Sequence, residues 1–220
     1  MKKLLLIGIA GAASLAGGVE YRREMEQWRE QREAELKAED GWLTVTGLFW
    51  LKPGENRIGT GEGDEICLPP GSAPARVGKI RLAGEQVRLE AAEGVEVQVN
   101  GRRARSAELH AEASGNPDAV TIGRLKLLLL KRGERYAIRL KDNQSRLRKE
   151  FAGLRWYPVE ESWRVTAKFV PYRAPRKMAF DTVVGIKEEL DSPGYVTFTR
   201  EGKEYRLGAA ITAGEMDTKH

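Results

Sequence analysis

Val95-Glu96-Val97-Gln98-Val99-Asn100-Gly101 is the stretch that decides the fold. Apolar and polar residues alternate with the period of a strand, so the valines face a core while Glu96 and Gln98 face water. Asn100-Gly101 is the preferred two-residue turn of a hairpin, because both residues tolerate the positive φ that such a turn demands. Short strand candidates surround it, each bounded by Gly, Pro or Asn-Gly: 56–60, 65–68, 78–82, 86–91, 119–122, 125–131 and 136–140. Many short strands with turn signals and no helical pattern between them predict a mainly β chain built around a β-sandwich or open barrel.

A second group of strands follows the polar joint from Asp142 to Glu150. Segments 163–170, 178–186, 195–200 and 204–207 read as strands, punctuated by Pro158, Pro171, Pro175 and Pro193-Gly194. Glu201-Gly202 reads as a hairpin turn. Upstream, 20–40 is dense in Glu, Arg and Gln, with Tyr21, Met25, Trp28 and Leu36 on one stripe at helical spacing. That spacing predicts a helix ended by Gly41 and held to the body by Trp28 and Leu36. The expected organisation is an export signal over 1–16, an amphipathic helix over 17–41, a β-sandwich over 42–141, a small antiparallel β section over 142–212 and a tail over 213–220.

Composition narrows the function. The chain has 220 residues, 41% apolar and 31% charged, which is ordinary for a globular protein. Its net charge is +5, and loss of Lys2 and Lys3 with the signal leaves +3, so nucleic acid is not an expected partner. Cys67 is the single cysteine and His110 and His220 the two histidines, which excludes an internal disulfide and a four-ligand zinc site of Cys and His. No metal or cofactor is expected. Lys2-Lys3, the apolar run Leu4–Ala13 and Ser14-Leu15-Ala16 form the three parts of an export signal, with cleavage expected after Ala16. The run is too short for a confident membrane span, so an exported, periplasmic or extracellular location is expected, with an uncleaved N-terminal anchor as the alternative.

Several chemistries lack their groups. Gly59-Thr60-Gly61-Glu62-Gly63-Asp64 has the glycines of a phosphate loop, but no helix follows and its acids repel phosphate. There is no Gly-x-Ser-x-Gly elbow. Cys67, between Ile66 and Leu68, reads as a buried inert thiol, and His110 as a surface residue at a strand end. The stretch richest in recognition chemistry is the turn after 136–140, where Arg139, Asp142, Arg146 and Arg148 precede Phe151 and Trp156. In a site, the arginines hold an anion, Asp142 orients them, and Trp156 or Trp50 floors the concavity. In a structural role, Asp142 pairs with Arg139 or caps the turn, and the arginines splay into water. Two functional readings follow: a binding or interaction module for a small anionic ligand or a protein partner, or an enzyme using carboxylate and arginine chemistry around Asp142 on a small anionic substrate.

Gly41-Trp42-Leu43, Gly47-Leu48-Phe49-Trp50-Leu51-Lys52-Pro53-Gly54-Glu55-Asn56, Arg139-Leu140-x-Asp142, Phe151-x-Gly153-Leu154-x-Trp156-Tyr157-Pro158 and Trp163-Arg164-Val165 together resemble the family called domain of unknown function 1684, over about Tyr21 to Leu207. The resemblance implies an exported, β-rich bacterial-type protein and brings no established activity. The family pattern continues beyond the equivalent of Leu207 with an Asp-Phe-Asn motif and a Cys-Pro stretch, whereas this chain passes to Ile211-Thr212-Ala213-Gly214-Glu215. Between Arg57 and Leu140 the chain is also similar to forkhead-associated β-sandwiches, through Arg57-Ile58-Gly59, Ile66-Cys67-Leu68, Val99-Asn100-Gly101 and Ile122-Gly123. Those domains read phosphothreonine with a Ser-Arg-x-x-His-like loop. Ser72-Ala73-Pro74-Ala75 stands here instead, so the resemblance implies the architecture without the phosphopeptide activity.

Overall fold

The computed structural model describes residues 10–181 and 187–211. Lys2-Lys3, most of the apolar run, the end of the strand expected over 178–186 and the tail over 213–220 lie outside the described residues. The fold is mainly β and divides into two compact units, one of residues 28–155 and one of residues 1–27 with 156–220.

Helix α1 spans Ala10–Lys37, so it starts before the expected cleavage point and stops four residues short of Gly41. Ala38 to Gly41 form a turn instead, with the Gly41 N–H on the Ala38 carbonyl at 2.9 Å. Glycine is required there, because a Cβ at Gly41 would lie 2.4 Å from the Glu35 and Leu36 carbonyl oxygens. Of the expected stripe, Tyr21, Met25 and Leu36 are partly buried and Trp28 is more than half exposed.

The unit of residues 28–155 is an antiparallel sandwich. Its strands are β1 (Val45–Trp50), β2 (Gly54–Gly59), β3 (Ile66–Cys67), β4 (Gly78–Ala83), β5 (Gln86–Ala91), β6 (Gln98–Val99), β7 (Arg102–Arg103), β8 (Ser106–Glu108), β9 (Ala119–Ile122), β10 (Leu125–Arg132) and β11 (Arg135–Asp142). One sheet has the order β1-β11-β10-β9-β6-β7 and the other β3-β2-β4-β5-β8, the β2–β3 pair being parallel. Alternate residues of both sheets meet in one core: Ile58, Ile80, Val87 and Leu89 from one, and Leu125, Leu127, Ile138 and Leu140 from the other. Burying such side chains contributes about 1.5–3 kcal/mol each.

Val95–Val99 keeps its alternation, with Val97 fully buried and Glu96 exposed, but only Gln98 and Val99 pair. The turn is as expected: Asn100 and Gly101 sit at φ of 51° and 75°, and Val99 faces Arg102. Trp42-Leu43-Thr44 forms a 3-10 turn, in which the Thr44 hydroxyl and N–H both return to the Gly41 carbonyl. Asn56, fully buried, ties down Lys52-Pro53-Gly54: its amide donates to the Lys52 and Ile80 carbonyls and accepts from the Lys52 N–H. Cys67 departs from expectation. Ile66 and Leu68 point inward, so the thiol between them is exposed.

In the other unit β12 (Lys168–Asp181), β13 (Lys187–Arg200) and β14 (Lys203–Ala209) form an antiparallel meander in that order. Pro171 and Pro175 do not end a strand, as their type predicts. They lie within β12, an edge strand, where a missing N–H costs no ladder bond, and the register slips between Pro171 and Arg176. Trp163 starts no strand either. It closes the 3-10 turn Glu161–Trp163 with the Arg200 guanidinium 3.4 Å above its ring. Glu201 and Gly202, at φ of 52° and 76°, make the expected two-residue hairpin between β13 and β14.

Candidate functional site

The final residues of β11 set out the polar groups. Leu140 and Asp142 point to the core side, Arg139 and Lys141 to the outer face. Asp142 is only 3% exposed, and both of its oxygens are engaged. Oδ1 accepts from Arg124 Nε at 2.9 Å and from the Gln144 N–H at 2.7 Å, while Oδ2 accepts from Arg124 Nη2 at 3.2 Å. Asp142 therefore caps the turn, as one structural reading expects, but its ion-pair partner is Arg124 and not Arg139. The pairing of Leu125 with Asp142 brings Arg124 there.

The three arginines expected to converge have separate partners. The Arg139 guanidinium lies 5.2 Å from the centre of the Trp42 ring. Arg146, in the one-turn helix α2 (Arg146–Lys149), is largely in water and pairs with Glu150 at 2.8 Å. Arg148 donates from Nε to the Lys37 carbonyl at 2.8 Å and from Nη1 to the Asn143 carbonyl at 2.9 Å, closing the end of α1. Ser145 caps α2, its hydroxyl accepting from the Arg148 N–H. Trp156 is half-buried and belongs to the other unit, and Trp50 is occupied by the Arg135 guanidinium at 3.9 Å.

A concavity does exist at Arg139, completed by charged residues, Asp40 and Lys141, that the sequence does not single out. Lys126 and Lys141 are directly opposite on β10 and β11, an arrangement that repels unless a carboxylate answers it. Asp40, in the turn after α1, does so. Lys126 Nζ is 2.6 Å from its Oδ1, and Lys141 Nζ donates to its backbone carbonyl at 2.6 Å. The hydrogen bond from Lys126, helped by the charges of Lys126 and Lys141, holds the Asp40 carboxyl below its ordinary pKa. Burial lowers the Lys141 pKa, and the neighbouring charges of Lys126 and Arg139 add to this against the pull of Asp40. Asp40, Trp42, Val45, Arg139 and Lys141 line about 200 Å³, and a second hollow of about 150 Å³ shares Asp40 and Lys141 and adds Glu39, Arg124, Lys126 and Asn143.

Most charges in the other polar clusters are answered within the cluster. A hollow of about 430 Å³ over β2, β4 and β5 holds Arg57, Arg76 and Lys79, but Lys79 bridges Glu55 and Glu90, and Arg57 is held by Glu65. His110 is exposed, as expected, with Nδ1 2.8 Å from Asp118. The Asp118 carboxylate also accepts from the His110 N–H and from Asn100. Burial raises its pKa most, but those hydrogen bonds outweigh it and the net shift is downward. No group of three or more His, Cys, Asp or Glu side chains able to hold a metal occurs among the described residues. None of the described helices is long and apolar enough to cross a membrane.

Three solved structures are similar over part of the chain. The FhaA FHA domain, complexed with the intracellular domain of another protein, matches at 19% identity and a TM-score of 0.31 over 43% of this chain and 97% of its own. A domain from a study of phosphothreonine-dependent FHA interactions matches at 19% identity and 0.31, over 43% of this chain and 92% of its own. The second FHA domain of a Mycobacterium tuberculosis ABC transporter matches at 27% identity and 0.32, over 40% of this chain and 77% of its own. No curated protein matches the sequence. The family match begins later than the motifs at Trp42 and Gly47–Asn56: over residues 149–219 the chain matches the family described as a protein of unknown function, DUF1684.

Proposed function

We propose that the protein is an exported binding module, and that the hollow beside Asp40 takes an anionic group carried by a small ligand or a protein partner. One observation carries the binding half. Arg139 and Lys141 line a recess walled by the Trp42 ring and Asp40, and the adjoining hollow, which shares Asp40 and Lys141, adds Lys126 and Glu39. Burial already makes it costly for Lys141 to stay charged, so an incoming carboxylate or phosphate gains a desolvated ammonium together with a planar guanidinium. The saturated Asp142 carboxylate offers no free oxygen for acid or base work, which favours binding over the enzymatic reading. Export rests on Lys2-Lys3 and the short apolar run after it.

Calorimetric titration with inorganic phosphate and with an acidic peptide tests the site and separates its two sources. Wild-type protein should bind at least one of them, and Arg139→Gln with Lys141→Gln should weaken that binding about tenfold or more while the protein stays folded. Unchanged affinity in the folded double variant, or no binding by wild type, overturns the site. Mass spectrometry of the N-terminus from fractionated cells tests export: a chain starting near Gly17 outside the cytoplasm is expected, and an intact Met1 in the cytosol refutes it.

A further inference from the structure

Among the described residues no further strand pairs with either outer strand of the three-stranded sheet, and its two edges differ in character. On β12, Pro171, Pro175 and the register slip break the row of backbone donors and acceptors. Strand β14, Lys203-Glu204-Tyr205-Arg206-Leu207-Gly208-Ala209, has no proline and no bulge, and every residue to Gly208 is exposed. The two-residue turn at Glu201-Gly202 makes Arg200 and Lys203 the closing hydrogen-bonded pair. By alternation, Lys203, Tyr205 and Leu207 direct their backbone groups at β13. Glu204, Arg206 and Gly208 direct theirs outward, where no described strand pairs with them.

We propose that this edge pairs antiparallel with β14 of a second copy of the chain, about a two-fold axis at Tyr205. The charge order selects both partner and register. Centred on Tyr205, Glu204 stands opposite Arg206 of the second copy and Arg206 opposite its Glu204, and each pair exchanges both backbone hydrogen bonds. A shift of two residues one way sets Arg206 against Arg206, and the other way Glu204 against Glu204. A shift of one residue turns the outward groups away. Glu204 has no ion-pair partner among the described residues. Arg206 lies with its guanidinium 3.3 Å from the Tyr195 ring, a stacking that leaves its N–H edge free.

The side chains fit the same register. Phe198 and Tyr205 are already stacked across β13 and β14 with centroids 5.4 Å apart, and the axis extends them into one aromatic row across both sheets. Tyr205 and Leu207 are 44% and 57% exposed, so that row has apolar surface left to bury. At the ends, Gly208 meets Gly202 of the other hairpin, and no side chain obstructs the approach.

Sedimentation equilibrium and cysteine cross-linking of the full chain test the proposal. Wild type should be a dimer. Arg206→Glu should weaken self-association about tenfold or more, since both symmetric pairs reverse together. Glu204→Arg combined with Arg206→Glu should restore it. In a Cys67→Ser background, Tyr205→Cys should form an intermolecular disulfide on mild oxidation, because facing residues of a non-hydrogen-bonded pair bring their Cα atoms to about 4.5 Å. Leu207→Cys, four residues out of register with its own copy, should not. A monomer at every concentration reached, an unchanged dimer in folded Arg206→Glu, or equal cross-linking by the two cysteine variants overturns the pairing. Should Arg206→Glu fail to fold, the charge-swapped variant and the cysteine pair still decide it.

Discussion

Asp142→Ala is the perturbation whose outcome the structure fixes most closely. It removes three hydrogen bonds at once: two from Arg124 and one from the Gln144 N–H. Breaking one side of a fully buried ion pair costs about 3–5 kcal/mol, because the remaining charge is stranded. Arg124 is about a third open to water, which lets it recover part of its hydration and brings that figure to about 2 kcal/mol. The orphaned Gln144 N–H adds about 1 kcal/mol, for a total near 3 kcal/mol. Asp142→Asn keeps an acceptor at the same position and should cost about half as much. Urea unfolding followed by tryptophan fluorescence measures both, and a cycle with Arg124→Ala should give a coupling of about 1–3 kcal/mol. If the binding hollow lies at Asp40, Asp142→Asn should not weaken anion binding, since it leaves Arg124, which lines the same hollow, with less of its charge answered. An Asp142→Ala variant within about 0.5 kcal/mol of wild type would refute the structural role, and loss of binding by folded Asp142→Asn would return the site to Asp142.

Two further outcomes can be stated. Val97→Asp puts a charge into a fully buried position and should destabilise the sandwich by more than about 3 kcal/mol, whereas Glu96→Lys on the wet face should be nearly silent; equal melting temperatures would show that the faces are wrong. Stability should fall in acid because folded-state carboxyls titrate below their ordinary values, among them Asp118, below 3.8, and Glu65, held chiefly by the Arg57 N–H and then by its guanidinium, down from 4.5 to about 2. Their contributions are complete above those ordinary values and disappear as pH falls through the lowered ones. Asp118→Asn should therefore flatten the stability curve below about pH 4. An unchanged acid limb in that variant would assign the loss to other groups.

The fold was legible wherever local chemistry and tertiary structure agree. Gln86–Ala91 and Ala119–Ile122 are strands at their expected bounds because period-two patterning and flanking turns mark both ends. The hairpins at Asn100-Gly101 and Glu201-Gly202 could be read because positive φ restricts the residues allowed there. Departures came where a distant partner changed the local rule. Proline punctuates a central strand, but β12 is an edge, and the sequence of one strand does not say who its neighbours are. Cys67 sits among apolar residues, but in a two-residue strand its neighbours take the core and leave it outside.

The site was less legible for a reason of the same kind. Proximity along the chain suggested Arg139 as the partner of Asp142, three residues away. In a strand, however, an odd separation places side chains on opposite faces, so that pair was excluded once 135–142 was extended. The true partner follows from the β10–β11 hairpin: Arg132 opposite Arg135 sets Leu125 opposite Asp142, and Arg124 is the next residue. The same register sets Lys126 against Lys141, two ammonium groups that need a counter-ion. Asp40 supplies it from a turn placed by the close approach at Gly41 and by the Arg148 contact with Lys37, neither of which any local pattern encodes. Asp142 is consumed in holding the turn, and in the proposed site the ligand-facing charge passes to the outer residues of the same two strands. Binding chemistry should therefore follow Lys126, Arg139 and Lys141, while Asp142 governs only whether the platform beneath them holds its shape.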